Sequence, residues 1–186
     1  MKILIAYDGS ESADKGIDDL SRAGLPVEVE ALVVSVAEVW LRPPRGEFDD
    51  TFPLQIPAGL ERAREHAAEI VKEAQELAER GSKRVKQIFP GWRVNHEATN
   101  GSPAHELLNR AREWQPDLIV VGSHGRTALG RFVLGSVSQK VLTEAQTSVR
   151  VARQTTGTGT SATRIILGVD GSAGAQEAVR AVAARA

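Results

Sequence analysis

Residues 117–138 read Asp-Leu-Ile-Val-Val-Gly-Ser-His-Gly-Arg-Thr-Ala-Leu-Gly-Arg-Phe-Val-Leu-Gly-Ser-Val-Ser, and this stretch decides the fold. Residues 117–121 form the most continuous apolar run of the chain, which is typical of a strand buried on both faces. The run stops at Gly122, and the residues from Val137 to Ala145 have the apolar spacing of a helix. The stretch therefore predicts a buried strand, a glycine-containing loop and a helix.

The same alternation runs through the rest of the chain. Apolar runs predict four further strands, and spacings of three and four residues predict the helices between them. The predicted strands cover residues 3–7, 27–36, 92–98 and 148–152; the predicted helices cover 12–23, capped by Ser10 or Ser12, 60–89, interrupted by Gly81, and a third that opens at Pro103 with Ser102 as N-cap. Strands that alternate with helices predict an α/β fold: an open, Rossmann-like, five-stranded parallel sheet with helices on both faces.

The carboxyl ends of the strands are the expected place for a ligand. In open parallel sheets, ligands bind in the crevice outside these ends, where the strand order switches. Asp8, Val36 and Gly122 stand at the ends of the first, second and fourth predicted strands. We therefore expect these three residues to share one ligand site.

The composition excludes several classes of protein. Of the 186 residues, 41% are hydrophobic and 25% charged, so the chain can bury a core without disulfides or metal. Its 23 Lys and Arg against 24 Asp and Glu offer no broad electrostatic field for nucleic acid or anionic lipid, and it contains no cysteine for disulfides, thiolate metal sites or cysteine nucleophiles. No apolar run approaches the roughly 18 residues of a membrane span, so we expect a cytoplasmic protein without nucleic-acid or membrane partners.

The far end of the chain repeats its beginning. Residues 164–172 (Arg-Ile-Ile-Leu-Gly-Val-Asp-Gly-Ser) have the residue-type pattern of residues 2–10 (Lys-Ile-Leu-Ile-Ala-Tyr-Asp-Gly-Ser), and a helical pattern follows both. We predict one domain over residues 1–153, a flexible linker over 154–163, and the truncated start of a second repeat over 164–186. Because one strand and one helix cannot form a core, this last segment is either a fragment of a longer tandem protein or an addition docked onto the first domain or its partner.

Three glycines of the deciding stretch have a spacing that suits a bound phosphate. Two residues separate Gly122 from Gly125, nine separate Gly125 from Gly135, and Ser136 follows at once. Glycine lets the backbone approach an anion closely, because it has no Cβ. The N–H groups that this exposes, together with the N-terminus of the helix that starts near Ser136, favour an anion.

Polar side chains near the glycines supply candidate ligand contacts. The hydroxyls of Ser136 and Ser138 are candidate phosphate donors, and the guanidinium of Arg126 or Arg131 is a candidate counter-charge. His124 either orients a phosphate or a catalytic water, or it is a solvated turn residue. Asp8 either contacts the ligand or ends a strand and caps a helix. The residues alone leave both readings of His124 and Asp8 open.

The pattern Gly122-x2-Gly125-x9-Gly135-Ser136 resembles the ATP-binding pattern of the universal stress protein family, and residues 2–10 look like the first strand and turn of that family. The resemblance covers a full family domain, to about residue 153, and resumes at residue 164 as the start of a second. It implies a five-stranded parallel sheet, bound ATP with Mg²⁺ or Mn²⁺, and a nucleotide-dependent module that acts in a stress response.

Carried over by position, the resemblance assigns a role to ten of the eleven predicted site residues; His124 is included for its place between Gly122 and Gly125. Asp8 would contact the nucleoside, Ala6 would lie beside the adenine, and the backbone of Val36 would face the adenine edge. The residues expected around the ribose and the phosphates are Gly122, His124, Gly125, Arg126, Gly135, Ser136, Val137 and Ser138.

The resemblance also implies two partners, an adenine nucleotide and a second copy of the chain. The homodimer would form through the last strand, Ser148–Ala152. Arg150 departs from the apolar run that the family usually has in this strand, and the proline that commonly begins it is replaced by Thr147 and Ser148. These departures concern the dimer edge and leave the nucleotide site unaffected.

Common catalytic motifs are missing from the sequence. The P-loop pattern Gly-x4-Gly-Lys-Ser/Thr, a Gly-x-Gly-x-x-Gly fingerprint after the first strand, and the Gly-x-Ser-x-Gly elbow do not occur. Efficient catalysis is therefore not predicted. Slow ATP hydrolysis, with Asp8 and His124 as the candidate groups, stays open as an alternative, and so does a structural dimerisation domain that binds no nucleotide.

Overall fold

The computed structural model describes residues 1–39, 58–125, 134–152 and 165–183, without the side chains of 58–61. The elements are β1 (Lys2–Ala6), α1 (Glu11–Asp19), a 3₁₀ turn (Leu20–Arg22), β2 (Glu30–Ala37), α2 (Ala58–Ile88), β3 (Arg93–Asn100), α3 (Pro103–Trp114), β4 (Leu118–Gly122), α4 (Ser136–Glu144), β5 (Ser148–Ala152) and α5 (Ala173–Ala183). The predicted linker, 154–163, lies outside the described residues. None of the helices in the described ranges is both long and apolar enough to cross a bilayer.

The five strands form one parallel sheet in the order β3-β2-β1-β4-β5, so the predicted fold class is confirmed. Alternate residues of β1 pack on opposite faces: Ile3 and Ile5 belong to the core under α1 and α2, and Leu4 belongs to the core under α3 and α4. All three are at most 1% exposed, and burying each contributes about 1.5–3 kcal/mol. The chain leaves β1 toward β2 on one side and later returns to β4 on the other, which opens a crevice at their carboxyl ends.

Local signals place most of the element ends. Of the two predicted caps of α1, Ser10 is the one used, because its Oγ accepts the N–H of Ala13 at 3.1 Å. Pro103 opens α3 as predicted, but Ser102 makes no side-chain capping hydrogen bond. β2 begins at Glu30, later than the predicted start at Val27, which is 83% exposed. The predicted strand starts too early because Val27 is apolar, although it lies in a turn that is exposed to solvent.

The predicted interruption of the long helix at Gly81 is wrong, because α2 continues through it. Gly81 is buried, and a Cβ added there would lie 2.8 Å from Cγ of Tyr7 and 2.9 Å from Cγ1 of Val33. The helix crosses β1 and β2 at this point so closely that only glycine fits. Gly81 therefore reports a close helix–sheet approach and not a helix end.

Arg150, which departs from the family's apolar strand, has a partner within the domain. Its Nε and Nη2 donate to Oδ2 of Asp19 at 2.9 and 2.6 Å, and both side chains are about one-third exposed or less. The ion pair joins the outer strand β5 to α1 and contributes on the order of 1 kcal/mol or less. The polar residue in β5 thus has a structural explanation.

Residues 165–183 repeat the first turn of the domain but not its strand. The N–H of Ser172 donates to Oδ1 of Asp170 at 2.9 Å, and Oγ of Ser172 accepts the N–H of Ala175 at 3.1 Å, as in the turn before α1. Residues 165–170 form no strand, and Ile166 is 99% exposed. The turn and helix therefore form without a sheet beside them.

Candidate functional site

A cavity of about 780 Å³ opens at the carboxyl ends of β1, β2 and β4. Ten of the eleven predicted site residues line it: Ala6, Asp8, Val36, Gly122, His124, Gly125, Gly135, Ser136, Val137 and Ser138. The eleventh, Arg126, lies outside the described residues. The structure thus brings together residues that lie far apart in the sequence, at the crevice where a parallel sheet binds ligands.

Part of the wall comes from helices that the sequence did not connect with the site. One side consists of Ile70, Glu73, Ala74 and Leu77 of α2, and Pro103 and Leu107 of α3 contribute as well. Their spacing identified an apolar helix face, but spacing gives no information on where a helix extends past the end of the sheet. Ser35, Ala37 and Glu38 flank Val36 and follow directly from the predicted end of β2.

Asp8 takes part in the turn before α1 and also lines the cavity, while its contact with a ligand stays a prediction. Its Oδ1 accepts the N–H of Ser10 at 3.0 Å, which forms the turn before α1, with Gly9 at φ +77°. Its other oxygen, Oδ2, faces the loop after β4, because a Cβ added to Gly125 would lie 3.2 Å from it. Asp8 therefore shapes the turn and lines the cavity at the same time.

The loop after β4 has fewer free amides than its glycines suggest. The N–H of Ser123 donates to the carbonyl of Ala152 at 2.9 Å, that of His124 to Oγ of Ser12 at 3.2 Å, and that of Gly135 to the carbonyl of Ser123 at 2.8 Å. These three donors are engaged within the protein. The expectation that the whole loop presents unpaired amides is therefore corrected to a smaller set.

The remaining donors are the amides of Gly125, Ser136, Val137 and Ser138. Within the described parts of the chain, none of these four N–H groups has a hydrogen-bond partner, and the first bond into α4 is that of Gln139 to the carbonyl of Gly135. Gly135 has no side chain that could cap the helix. The positive end of α4 and the amide of Gly125 thus have the character of a candidate anion site.

The three glycines of the motif have different structural roles, and none of them has a positive φ. A Cβ on Gly122 would lie 3.0 Å from the carbonyl carbon of Ser12, so this glycine allows α1 to approach β4. A Cβ on Gly135 would make only ordinary contacts, 3.4 Å from Cα of His124. The packing of α1 alone is thus enough to require glycine at position 122, and a contact of Gly122 with phosphate stays a prediction.

The side-chain donors also differ from the prediction. The hydroxyl of Ser138 is buried and donates to the carbonyl of Gly122 at 2.5 Å, so its hydrogen is not available to a phosphate. The side chain of Ser136 is exposed on the first turn of α4 and lines the cavity. Ser136 is thus the hydroxyl donor that the structure leaves to a ligand.

His124 belongs to a chain of hydroxyl groups and is not simply solvated. Its Nδ1 lies 2.9 Å from Oγ of Ser123, which lies 3.2 Å from Oγ of Ser12. Nε2 of His124 is buried and has no partner among the described residues. A buried imidazole nitrogen without a partner costs free energy, so a ligand group or water that reached it would be stabilised.

The described residues contain no group of three His, Asp or Glu side chains that could hold a metal ion. The acidic residues that line the cavity are Asp8, Glu38 and Glu73. A cation in this cavity would therefore depend on ligand oxygens for part of its coordination.

Tyr7 lies directly before Asp8 and is 3% exposed. Its hydroxyl donates to Oδ1 of Asp14 at 2.7 Å and accepts the Nε–H of Arg80 at 3.2 Å. Burial raises the pKa of Tyr7 above its ordinary value, and the bond to Asp14 raises it further, while Arg80 lowers it by a smaller amount. The strand end that carries Asp8 is thus anchored by a buried phenol.

We expect the pKa of Tyr7 in the folded protein to exceed the value of about 10 that it has when unfolded. Tyr7 is the only tyrosine of the chain, so the absorbance of the phenolate reports this group alone. Because the folded pKa is the higher one, the stability that Tyr7 contributes is complete below about pH 10 and is lost as the pH rises through the folded pKa. A titration midpoint at or below that of the urea-unfolded chain would contradict the expectation.

Comparison with known proteins agrees with the fold described above. A sequence profile of the universal stress protein family matches residues 1–153. The universal stress protein YxiE of Bacillus subtilis is 32% identical over 145 residues, which cover 75% of this chain and 90% of YxiE. The universal stress protein MJ0531 of Methanocaldococcus jannaschii is 31% identical over 156 residues, which cover 82% of each chain.

A solved structure shows the same fold. The structure of the protein MJ0577 has a TM-score of 0.64 and 24% sequence identity, and the alignment covers 84% of this chain and 97% of that one. The family match extends over most of the chain and includes every strand of the sheet. The chain therefore belongs to the universal stress protein family.

Proposed function

We propose that residues 1–153 bind an adenine nucleotide, ATP in particular, and that occupancy regulates contacts of the protein in a stress response. The observation that carries this proposal is a set of four amides at the mouth of the cavity, those of Gly125, Ser136, Val137 and Ser138, which have no hydrogen-bond partner among the described residues. Each of these N–H groups is a donor for phosphate oxygen, and the end of α4 adds the positive end of the helix dipole.

The charged and apolar residues lie on different walls of the cavity, and this distribution favours one orientation of the nucleotide. Phosphate belongs at the first turn of α4, because the carboxylates of Glu38 and Glu73 on the other walls would repel it. Asp8 Oδ2 is an acceptor that suits a ribose hydroxyl. The apolar surface beyond it, from Ala6, Val36 and neighbouring residues, suits a flat base. The volume of about 780 Å³ lies within the usual range for small-molecule sites.

A divalent cation fits this proposal as a companion of the phosphates. The described wall residues include three carboxylates and no lysine or arginine, so a bare triphosphate would meet unfavourable charge there. Mg²⁺ or Mn²⁺ would reduce that charge. Among the described residues, Asp8 is the carboxylate nearest the proposed phosphate site that can accept a water or a ligand of such an ion.

The test of the proposed function begins with the purified full chain. Heat denaturation should release an adenine nucleotide in an amount comparable to the protein, and calorimetry on the stripped protein should give ATP binding that strengthens with Mg²⁺ or Mn²⁺. If no nucleotide is released and ATP does not bind, the domain is instead a structural dimerisation unit. ADP that forms faster than in a no-protein control, and no longer forms after Asp8→Ala, would favour the slow ATPase.

Two further proposals concern assembly. We propose that β5 pairs with its copy in a homodimer, because β5 is an outer strand that hydrogen-bonds to β4 on one side. A solution mass equal to that of one chain would contradict this.

We also propose that residues 164–186 are the beginning of a second repeat, since the turn at Asp170 matches the turn at Asp8 bond for bond. If so, the backbone amides of residues 165–170 should become protected from hydrogen exchange only when further strands pair with this segment.

A further inference from the structure

Arg80 of α2 contacts both residues that flank Asp8. Its Nε–H donates to the hydroxyl of Tyr7 at 3.2 Å, and its Nη2 donates to the carbonyl of Gly9 at 3.2 Å. The guanidinium carbon also lies 5.6 Å from the centre of the Tyr7 ring. Arg80 is exposed on its outer side and does not line the cavity, so it acts from behind the turn.

The fit between Arg80 and the turn is close. Gly9 has φ +77°, and a Cβ added there would clash with Nη2 of Arg80 and lie 2.6 Å from Cδ2 of Leu77. Leu77 lines the cavity one helical turn before Arg80. The helix that forms a wall of the cavity therefore also packs directly against Gly9, the residue that follows Asp8.

Side chains hold the peptide between Tyr7 and Asp8 and the peptide between Gly9 and Ser10. The carbonyl of Tyr7 accepts the hydroxyl of Ser35 at 2.6 Å, and the carbonyl of Gly9 accepts Arg80. With these two carbonyls fixed, the carboxylate of Asp8 is directed to Ser10 on one side and toward Gly125 on the other. Ser35 is buried in the sheet, whereas Arg80 reaches the turn from a separate helix.

We propose that Arg80 is a positioning residue of the nucleotide site: by holding the carbonyl of Gly9 and the hydroxyl of Tyr7, it sets the orientation of the Asp8 carboxylate toward the nucleoside. The proposal rests on the proposed nucleotide function. It assigns Arg80 no contact with the ligand, so any effect of its removal must pass through Asp8.

Arg84 provides a matched control on the same helix. It lies one turn after Arg80 and binds Asp18 of α1. Its Nε donates to Oδ1 of Asp18 at 3.1 Å, and its Nη2 lies 2.9 Å from Oδ1 and 2.7 Å from Oδ2. It makes no hydrogen bond to residues 8–10 in the described structure. Arg84→Gln therefore removes the same charge and a comparable link between α2 and α1, but leaves the turn at Asp8 intact.

The first measurement uses binding. We expect Arg80→Gln to weaken ATP binding about tenfold, because a charge-assisted hydrogen bond is lost, and Arg84→Gln to change it less than about twofold. In an Asp8→Asn background, Arg80→Gln should have little further effect, since both changes act on one contact. An equal loss in both backgrounds, or no loss in the parent protein, would overturn the positioning role.

The second measurement needs no ligand, which separates this inference from the proposed function. The N–H of Ser10 donates to Asp8, so its hydrogen exchange reports the orientation of the carboxylate. Arg80→Gln should speed this exchange and raise the pKa of Tyr7, which Arg80 lowers, whereas Arg84→Gln should leave the exchange of Ser10 unchanged. Unchanged exchange in Arg80→Gln refutes the inference even if ATP binds, and faster exchange supports it even if ATP does not.

Discussion

Gly81→Ala should lower the free energy of unfolding by about 1–3 kcal/mol, although alanine is the better helix former by roughly 1 kcal/mol. The added Cβ would lie 2.8 Å from Cγ of Tyr7 and 2.9 Å from Cγ1 of Val33, closer than carbon atoms pack. Either α2 moves away from the sheet or Tyr7 is displaced. Urea denaturation at neutral pH measures the change directly.

Gly16 of α1 is the matched control for this substitution. It is also a buried helical glycine, but a Cβ added there would lie 3.5 Å from the Cβ of Ala152, an ordinary contact. Gly16→Ala should therefore stabilise the domain by about 0.5–1 kcal/mol. If Gly81→Ala stabilised the protein as Gly16→Ala does, the close approach of α2 to β1 would be refuted.

The second large effect is expected for Gly135→Val, which should weaken ATP binding by about a hundredfold while the domain stays folded. The first carbon of the new side chain would lie 3.4 Å from Cα of His124 and 3.7 Å from the amide nitrogen of Gly125. The branched methyl groups would then occupy the space beside that amide. Loss of this charge-assisted donor, at about 1.5–3 kcal/mol, covers the roughly 2.8 kcal/mol that a hundredfold change requires. Calorimetric titration with ATP measures it.

Gly122→Val is the companion variant, for which we expect the main effect on stability. A Cβ there would lie 3.0 Å from the carbonyl carbon of Ser12 and 3.1 Å from the amide nitrogen of Ala13, so valine should destabilise the packing of α1 on β4. We expect a lower unfolding midpoint for Gly122→Val and an unchanged one for Gly135→Val. Unaltered ATP affinity in folded Gly135→Val would argue against the proposed phosphate site.

The sequence predicted the fold and the position of the site because both depend on local patterns. Apolar runs and helical spacing identify strands that alternate with helices, and a parallel sheet brings the ends of its strands to one edge. Asp8, Val36 and Gly122 each follow or end such a run, so their convergence required no knowledge of distances. The cap Ser10 was one of two candidates for the same reason.

What the sequence could not predict are contacts between distant segments. The amide of His124 is engaged by Ser12, 112 residues away in the chain, and that pairing decides how many donors a ligand can find. Similarly, a glycine in the sequence does not show whether the space beside it is needed by a phosphate or by a neighbouring helix. Gly81 suggested a helix end but allows α2 to approach the sheet, and Gly122, predicted to contact phosphate, also allows α1 to approach β4.

The duplicated Asp-Gly-Ser turn has a consequence for how the domain acquires its shape. Its hydrogen bonds join residues two or three positions apart, so closing it sacrifices little chain entropy. Contacts this short form on the submicrosecond scale, far faster than a parallel sheet can assemble. The turn that carries Asp8 can thus form early in folding, and Ser35 and Arg80 fix the orientation of its carboxylate once β2 and α2 have packed beside it.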